Sequence, residues 1–427
     1  MRKDRYKMNV KAINTNAVRN ISLAPSGEKK IAWAWRNMPL LRSIRADFEK
    51  TRPFDGVKIT LSVHMEAKTA CLCRTFAAGG AKMSATGCNP LSTQDDVAAA
   101  LAAGGMSVFA WRGATPEEYE RHLAMALDHA PNIIIDDGGD LVSMTHTKLR
   151  HLIPGIYGGC EETTTGIMRL LSMAADNTLK FPMIAVNNAR CKYLFDNRYG
   201  TGQSVWDGIN RSTNLIVAGK NVVVAGYGWC GKGISMRARG FGAKVIVTEI
   251  DPIKALEAMM DGFSVMTMDE AAGVGDLFIT STGCADVITE RHFNRIRDGA
   301  VLCNAGHFNV EVDVAWLDNN AEKQEQKPGI MGYTLKNGKT LFVLAEGRLV
   351  NLASGDGHPI EIMDMSFAIQ ALSAAYLAQN YGNLAPRVIP VPKDIDDEVA
   401  RKKLGSCGLT IDALTAEQAQ YLLNWSM

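Results

Sequence analysis

The chain has 427 residues and a mass of 46.3 kDa, which predicts two or three domains rather than one. Hydrophobic residues make up 47% and charged residues 21%, a balance that excludes a wholly disordered chain. Lys and Arg number 46 against 45 Asp and Glu, so the net charge of +1 provides no sequence-wide field for holding a nucleic acid.

The sequence contains no pattern typical of membrane insertion or secretion. No apolar run reaches the roughly 18 residues that a membrane helix needs. The segment MRKDRYKMNVK (1–11) has no apolar region after its charges, so we expect no signal peptide. The nine cysteines are scattered and lack a CxxC pair, which disfavours a disulfide framework or a zinc site. We therefore predict a reduced, cytoplasmic protein without a metal, a nucleic-acid partner or a membrane partner.

Strand-like and helix-like segments alternate along the first half of the chain, which is typical of a parallel sheet covered by helices. The strand VKITLSVH (57–64) precedes the helical EAKTACLCRTFAAGG, and the alternation continues to the strand NIIIDDGGD (132–140). Asp136, Asp137 and Asp140 thus follow the carboxyl end of a buried strand, and open α/β sheets bind ligands at that edge.

A second series begins at Asn221 with NVVVAGYGWCGKG and continues through AKVIVTEIDP, DLFITSTG and AVLCNAGHF. Residues 161–219, between the two series, are predicted to be helical and carry EETTTG, KYLFDN and RYGTGQS. The long helix IMDMSFAIQALSAAYLAQNYG (362–382) follows, and it could rejoin the first domain. The proline-spaced APRVIPVP (385–392) then predicts an extended linker to a short helical tail.

The glycine-rich turn Gly226-Tyr-Gly228-Trp-Cys-Gly231 follows an apolar strand and begins a helix. The first glycine permits the tight turn, the second lets the backbone approach a pyrophosphate, and the third lets the helix pack on the strand. Glu249 ends the next strand, where this fingerprint expects an acid for the ribose hydroxyls. A carboxylate there repels a 2′-phosphate, which favours NAD over NADP. The alternative interpretation of the whole motif is a glycine-rich turn that binds no ligand.

These patterns predict an α/β protein with a Rossmann-type NAD domain inserted into a second α/β domain. We expect the discontinuous substrate-binding domain to comprise residues 1–194 and 358–390. The NAD-binding domain is expected to comprise residues 195–357, and a short C-terminal helical tail residues 391–427.

The polar motifs also have structural interpretations. DDGGD alone favours a turn with solvated aspartates, and EETTTG (161–166) could cap a helix N-terminus. Lys192 and Asp196 have the spacing of a surface ion pair on a helix. Each single histidine fits a satisfied structural role better than catalysis.

In order and spacing, however, these segments resemble the S-adenosylhomocysteine hydrolase (adenosylhomocysteinase) family, including its S-inosylhomocysteine hydrolase branch, from about residue 30 to the C-terminal helix. The resemblance is carried by HMEAKTA, NPLSTQDD, DDGGDL, EETTTG, KYLFDNRYG, VVVAGYGWCGKG, GFGAKVIVTEIDP, TSTGC, CNAGHF and EGRLVNLASGDGHP. It implies reversible, NAD-dependent cleavage of an S-nucleosyl-L-homocysteine to L-homocysteine and the nucleoside. It also implies a tightly held NAD, which is regenerated in each turnover, and a homotetramer.

The resemblance implies a catalytic role for His64, Asp137, Glu162, Lys192, Asp196, Asn197 and His307. Lys192 and Asp196 are expected to handle the 3′-hydroxyl proton, with the pKa of Lys192 lowered by burial. Asp137 is expected to be the base at the 4′ carbon, while Glu162 binds the ribose hydroxyl. His64 is expected to assist departure of sulfur and entry of water.

Further residues are implied in binding. The substrate contacts are Glu66, Lys68, Asp137, Glu162, Lys192, Asp196 and His358, of which His358 helps to close the pocket. The cofactor contacts are Thr163, Thr164, Thr165, Asn197, Gly226, Gly228, Gly231, Glu249, Ala305, Gly306, His307 and Asn351. His307 is expected near the ribose and nicotinamide.

The chain also departs from the family pattern. Thr201 replaces a cysteine, Lys254 replaces an asparagine, and LLNWSM stands where the family has a lysine and tyrosine tail, so we expect NAD to be held less tightly. Lys68 occupies the position of a Glu or Gln that accepts from the adenine amine. Lysine has three donors and no acceptor, so it fits the carbonyl of hypoxanthine better.

Hypoxanthine also carries a ring N–H that needs an acceptor such as Glu66 or Asp356. We therefore expect S-inosyl-homocysteine to be the better substrate, with S-adenosyl-homocysteine as the alternative. If the adenosyl compound is the substrate, we expect Lys68 to point to solvent or to pair with Asp356, and backbone groups to bind adenine.

Two rival functions stay open at this point. A net NAD-dependent dehydrogenase would share the Rossmann-type domain. It would have no use for the four charged residues Asp137, Glu162, Lys192 and Asp196 together. A non-catalytic regulatory relative would be expected to have lost catalytic positions, which are mostly retained here. Because an enone intermediate must be shielded from water, we also expect the domains to close, with hinges at 194–202 and 352–358.

Overall fold

The structure is a computed structural model that describes residues 16–425. The segment 1–11, for which we expect no signal peptide, lies outside the described residues, as do the last two residues of the predicted tail. Within the described part of the chain, the strands form two eight-stranded sheets.

The strands follow one another in two groups. The first group comprises β1 (Ala17–Val18), β2 (Lys58–Ser62), β3 (Lys82–Thr86), β4 (Ser107–Ala110), β5 (Ile133–Asp136), β6 (Gly158–Glu161) and β7 (Met183–Ala185). The second group comprises β8 (Asn221–Ala225), β9 (Lys244–Thr248), β10 (Ser264–Val265), β11 (Leu277–Thr280), β12 (Val301–Asn304), β13 (Glu322–Lys327), β14 (Ile330–Thr334) and β15 (Thr340–Leu344). A last strand, β16 (Val388–Pro390), follows.

The helices cover both sheets. They are α1 (Ala24–Arg36), α2 (Pro39–Thr51), α3 (Ala67–Ala78), α4 (Asp95–Ala103), α5 (Pro116–Leu127), α6 (Asp140–Thr147), α7 (Thr164–Ala175), α8 (Arg190–Lys192), α9 (Thr201–Thr213), α10 (Trp229–Gly240), α11 (Pro252–Met260), α12 (Met268–Ala272), α13 (Glu290–Phe293), α14 (Val314–Asn320), α15 (Val350–Ala353), α16 (Ile360–Asn380), α17 (Lys393–Ser406) and α18 (Ala416–Leu423). A π-helical segment, Tyr193–Gly200, connects α8 to α9. Among residues 16–425, we find no helix with both the length and the apolar character that a bilayer crossing requires.

The first sheet has the order β1-β4-β3-β2-β5-β6-β7-β16, and all of its strand pairs are parallel. The second has the order β10-β9-β8-β11-β12-β15-β14-β13, in which β14 runs antiparallel to both of its neighbours, β15 and β13. The chain thus leaves the first sheet after β7, builds the second and returns as β16. The predicted α/β class is confirmed.

Each sheet reverses its strand order at one point, which in open α/β sheets is where ligands bind. In the first sheet the reversal lies between β2 and β5, which precede His64 and Asp137. In the second it lies between β8 and β11, which precede the glycine turn and Thr282. In both sheets, the loops that follow these strands therefore lie at the edge where such sheets bind ligands.

Two segments differ from the prediction. Residues 161–219 are not wholly helical, because the short apolar run Met183–Ala185 forms β7 between β6 and β16. So short a run shows no periodicity that separates strand from helix. The predicted linker 385–392 contains the edge strand β16, where Pro390 is tolerated because an edge strand has a solvent side. After it, α17 buries Val399 in the core of the first sheet.

The helix α16 also belongs to that core. Its side chains Phe367, Ile369 and Leu377 are fully buried in the same cluster as Ile59 and Ile133. A largely apolar helix with buried residues on several faces is typical of a fully buried element. Helix α16, which follows the second sheet in the chain, therefore packs in the core of the first sheet.

Candidate active site

A cleft of about 1310 Å³ lies between the carboxyl edges of the two sheets. The residues that the resemblance implied in catalysis, substrate binding and cofactor binding all line this cleft, except Gly231, which packs beneath the glycine turn. The cleft holds both the predicted substrate residues and the predicted cofactor residues, so one cavity can accommodate a nucleoside next to a dinucleotide.

The π-helical segment after α8 gathers the charged centre of the cleft. Lys192 Nζ donates to Asn197 Oδ1 (2.8 Å) and Asn187 Oδ1 (3.1 Å). It lies 3.4 Å from Asp196 Oδ1 and 3.9 Å from Glu162 Oε1. Lys192, Asp196 and Glu162 are all buried, so the structure contradicts the surface ion pair that the spacing alone suggested.

The protonation of Lys192 also differs from the expectation. Burial alone lowers its pKa, but the charges of Asp196 and Glu162 outweigh burial and raise the pKa above the ordinary value. The expectation of a lowered pKa is therefore wrong, because it included the burial of Lys192 but not the opposing charges of Asp196 and Glu162. Lys192 is thus a buried ammonium that donates hydrogen bonds into the cleft.

Asp196 is held as a carboxylate. Burial alone would raise its pKa, but Lys192 and His358 hold it below the ordinary value. His358 Nδ1 lies 2.8 Å from Asp196 Oδ1, and Ser366 Oγ donates to Oδ2 over 2.6 Å. The charge of Asp196 is therefore compensated from three sides.

Glu162 behaves differently. Burial raises its pKa to about 8, against the opposing charge of Lys192. Gln370 Nε2 donates to its Oε2 over 2.5 Å, while Oε1 is buried without a protein partner. A carboxyl that is mostly neutral near pH 7 can both donate to and accept from a hydroxyl, and the free oxygen leaves that contact open to a ligand.

Asp137 lies between two histidines at the end of β5. His64 Nε2 is 3.5 Å from Asp137 Oδ2, and His307 Nδ1 is 3.9 Å from Oδ1. His64 Nδ1 contacts Ser92 Oγ at 2.6 Å, which orients the ring. Burial lowers the pKa of His64 to about 4, so the ring is neutral near pH 7. Asp137 and the two histidines beside it are therefore suited to proton transfer at a nearby carbon or sulfur atom of a ligand.

The DDGGD turn is buried and hydrogen-bonded, which contradicts the interpretation as solvated aspartates. Asp136 Oδ1 accepts from the amide of Asp137 (3.1 Å), and Glu161 Oε1 accepts from the amide of Gly138 (2.8 Å). Gly138 has a φ of +105°, and a Cβ there would lie 2.6 Å from His307 Nε2. Glycine at 138 therefore permits both the turn and the approach of His307.

His64, Cys88 and Asp137 are the one set of three side chains within residues 16–425 that is close enough to hold a metal ion. Burial and the charge of Asp137 raise the pKa of Cys88 well above its ordinary value. The thiol is thus protonated and donates to Asp137 Oδ2 at 3.4 Å, so it extends the hydrogen bonding of Asp137.

The glycine turn of the second sheet fits a dinucleotide. Gly226 has a φ of +92°, and no atom lies within 4 Å of the position of a Cβ at Gly228. A Cβ at Gly231 would lie 1.9 Å from the Gly226 carbonyl oxygen, so that close packing requires glycine. Glu249 follows β9 and accepts from the amide of Tyr227 over 2.6 Å, which fixes its carboxylate beside the turn.

The other predicted cofactor residues also leave groups for a ligand. Asn351 Oδ1 is buried without a partner, although its Nδ2 donates to Ser204. The side chain of Thr163, at the N-terminus of α7, caps no amide. Gly306 packs so closely on Glu311 that a Cβ would lie 1.9 Å from Glu311 Oε1. An amide-bearing ring such as nicotinamide would supply the donor that Asn351 Oδ1 lacks, so the residues fit NAD.

Lys68 also lines the cleft and is buried. Its Nζ lies 2.8 Å from Glu66 Oε2 and donates to the backbone carbonyl of Asp356 over 2.9 Å. The Asp356 carboxylate is exposed and lies 3.9 Å from Arg211. Lys68 therefore neither swings to solvent nor pairs with that carboxylate, and Asp356 is not placed as a side-chain acceptor for a base. Two of its three donors are used within the protein, so one is left.

Sequence reasoning missed three polar residues of the site. Asn187 accepts from Lys192, Ser366 contacts Asp196, and Gln370 contacts Glu162. For Ser366 and Gln370, the available signal was their spacing of four residues in a largely apolar helix, since residues four apart share one helix face.

Comparison with known proteins agrees with this geometry. A model described as the S-adenosyl-L-homocysteine hydrolase family matches residues 15–151, and that family's NAD-binding domain matches residues 197–357. The adenosylhomocysteinase of Thermococcus kodakarensis is 59% identical over 409 residues, which cover 96% of this chain and 97% of that protein.

The S-inosyl-L-homocysteine hydrolase of Methanocaldococcus jannaschii is 56% identical over 409 residues, covering 96% of this chain and 98% of that protein. The predicted cofactor, NAD, and the predicted Rossmann-type domain are therefore confirmed. The chain belongs to the S-adenosyl-L-homocysteine hydrolase family of NAD-dependent hydrolases.

Proposed function

We propose that the protein cleaves an S-nucleosyl-L-homocysteine reversibly to L-homocysteine and the nucleoside. The observation that carries the proposal is the meeting of Lys192, Asp196, Glu162 and Asp137 in one cleft with an NAD-binding turn. A net dehydrogenase needs only the NAD-binding turn and one residue that transfers a proton. A non-catalytic regulatory relative needs none of these four charged residues. Burial of such charges costs stability, so their presence together in one cleft favours a catalytic role.

The first step assigned to the protein is proton handling at the 3′-hydroxyl. Bound NAD supplies the oxidation of the 3′ carbon and the final re-reduction. Oxidation also releases the 3′-hydroxyl proton, which the Asp196 carboxylate accepts, while Lys192, 3.4 Å from Asp196, donates to the 3′ oxygen. The free Oε1 of Glu162 binds a ribose hydroxyl. The 3′-ketone makes the 4′ hydrogen acidic.

Asp137 then removes the 4′ proton, and homocysteine leaves from the 5′ carbon by β-elimination. His64, 3.5 Å from Asp137, is placed to assist the departing sulfur and the entering water. His307, on the other side of Asp137, lies at the junction of the two sheets' loops. Water then adds at the 5′ carbon, and the 4′ proton returns before the 3′ ketone is reduced.

We further propose that hypoxanthine is the preferred base. The support is the one donor of Lys68 left after Glu66 and the Asp356 carbonyl are satisfied. A base carbonyl can accept it, whereas the adenine amine would face donor with donor. A mismatched buried donor costs about 1–3 kcal/mol, or roughly ten- to a hundredfold in preference.

A homotetramer in a reduced, cytoplasmic compartment completes the proposal. All nine cysteines lie within the described residues and are free, which supports the reduced compartment. On α11, Ile253 and Met260 are 76% and 74% exposed, which gives the second sheet's domain an apolar surface available for another subunit.

The test is to incubate the purified protein with S-inosyl- and S-adenosyl-homocysteine and to measure free thiol together with nicotinamide absorbance. We expect thiol release without net accumulation of reduced cofactor, because the hydride returns within each turnover. Stoichiometric accumulation of reduced cofactor would support the dehydrogenase instead. Binding of both compounds without thiol release would support the regulatory relative.

A further inference from the structure

Helix α16, which follows the second sheet, places two polar side chains against the proposed catalytic carboxylates. Ser366 Oγ donates to Asp196 Oδ2 over 2.6 Å, and Gln370 Nε2 donates to Glu162 Oε2 over 2.5 Å. Both side chains are fully buried. Because residues four apart lie on one helix face, a single turn of α16 holds both carboxylates.

Each carboxylate divides its oxygens between α16 and Lys192. The Oδ2 atom of Asp196 contacts the helix, while Oδ1 lies 3.4 Å from Lys192 Nζ. The Oε2 atom of Glu162 contacts the helix, while Oε1 lies 3.9 Å from Lys192 Nζ and has no protein partner. A donor behind each carboxylate opposes its rotation and so determines which oxygen faces the cleft.

We infer that Ser366 and Gln370 are positioning residues for the reaction, an inference that rests on the proposed function. Ser366 orients Asp196 beside Lys192 for oxidation of the 3′ carbon. Gln370 orients Glu162 so that its free oxygen meets a ribose hydroxyl. Both act through the carboxyl groups, because Ser366 Oγ and Gln370 Nε2 donate to Asp196 and Glu162, and Gln370 Oε1 has no protein partner.

The two positions should affect different measured quantities. Ser366→Ala should slow oxidation of a bound nucleoside about tenfold or more, because hydrogen bonds to charged groups are among the stronger ones. Gln370→Met should weaken nucleoside binding about tenfold and change the oxidation rate less. A purely structural role would not produce this separation between rate and binding.

The same helix offers a matched control. Ser373 is fully buried, and its hydroxyl has no hydrogen-bond partner. Ser373→Ala removes an equally buried hydroxyl and should leave oxidation rate and nucleoside binding unchanged. Ser366→Thr keeps the hydroxyl at position 366 and should restore most of the rate that Ser366→Ala loses.

The experiment uses the purified NAD-bound protein. Nucleoside binding is measured by calorimetry with inosine and adenosine, and oxidation by the nicotinamide absorbance after rapid mixing. Thiol release by the wild type must be seen first, since its absence would count against the proposed function and not against the positioning roles. With an active wild type, the inference is overturned if Ser366→Ala and Gln370→Met match Ser373→Ala.

Loss of bound NAD or of folded protein in Ser366→Ala alone would also overturn the inference. So would equal rates for Ser366→Thr and Ser366→Ala at full NAD content. Either result would assign Ser366 to the stability of α16 rather than to the orientation of Asp196.

Discussion

His358 Nδ1 lies 2.8 Å from Asp196 Oδ1, so a residue after the second sheet contacts a residue before it. Asp196 follows β7, the last strand of the first group, and His358 precedes α16. The contact closes the chain around the inserted sheet at the charged centre of the cleft. It also helps to hold the pKa of Asp196 below its ordinary value.

Replacement of His358 should therefore impair the reaction. We expect His358→Ala to lower kcat/KM about tenfold or more, because Asp196 loses a close donor. His358→Asn, whose amide can reach a similar position, should recover part of the loss. Equal kcat/KM for wild type and His358→Ala in thiol-release assays would contradict this role.

Asp137→Asn tests the base at the 4′ carbon. The amide cannot accept the proton, so the variant should bind NAD and nucleoside but stall after oxidation. Rapid mixing should show reduced nicotinamide on the enzyme, while thiol release is lost. Unchanged thiol release would show that another group is the base.

Lys68→Gln tests which purine the cleft binds. Glutamine supplies an acceptor, so the ratio of kcat/KM values should shift toward the adenosyl compound by roughly tenfold or more. Lys68→Met is the control, since it removes the donors without supplying an acceptor and should lower the inosyl rate alone. A wild type that already prefers the adenosyl compound about tenfold would rule out the hypoxanthine proposal.

Closure of the cleft can be followed in solution. Because water must be excluded until homocysteine has left, a nucleoside inhibitor should make the scattering profile more compact. We expect the hinges at 194–202 and 352–358, which lie before β8 and after β15 on the two segments that connect the sheets. Identical profiles with and without the inhibitor would argue against closure.

Glu161 predicts a dependence of stability on pH. Burial raises its pKa well above the ordinary 4.5, and Asp136 and Asp137 raise it further. The folded state therefore keeps a proton that the unfolded chain releases. The corresponding stabilisation is complete below about pH 4.5 and is lost as pH rises toward the folded-state pKa.

Glu161→Gln should flatten this dependence by about 1.4 kcal/mol per pH unit. Its amide oxygen can still accept from Gly138 and Thr163, as Glu161 Oε1 does now. The check is urea unfolding between about pH 5 and 8, with exposed Glu322→Gln as control. Equal slopes for wild type and Glu161→Gln would show that Glu161 is ionised in the folded state.

Much of the site could be predicted because its residues follow strands. Asp137 and the turn at Gly226 lie at strand ends, where a parallel sheet aligns its loops, and strand patterns are readable in sequence. The pKa of Lys192 was predicted wrongly, because the charges of Asp196, four residues on, and of Glu162, which another strand brings close, together outweigh burial. Ser366 and Gln370 were missed because their partners lie far away in sequence.

The insertion of the second sheet has a consequence for how such enzymes can be modified. Both points at which the chain crosses between the sheets carry residues of the cleft, Asp196 on the way in and His358 on the way out. A cofactor domain taken from an ordinary dehydrogenase could not be exchanged into this chain as a self-contained module. Any graft would have to retain both crossings, or the transplanted enzyme would bind its dinucleotide beside a dismantled substrate site.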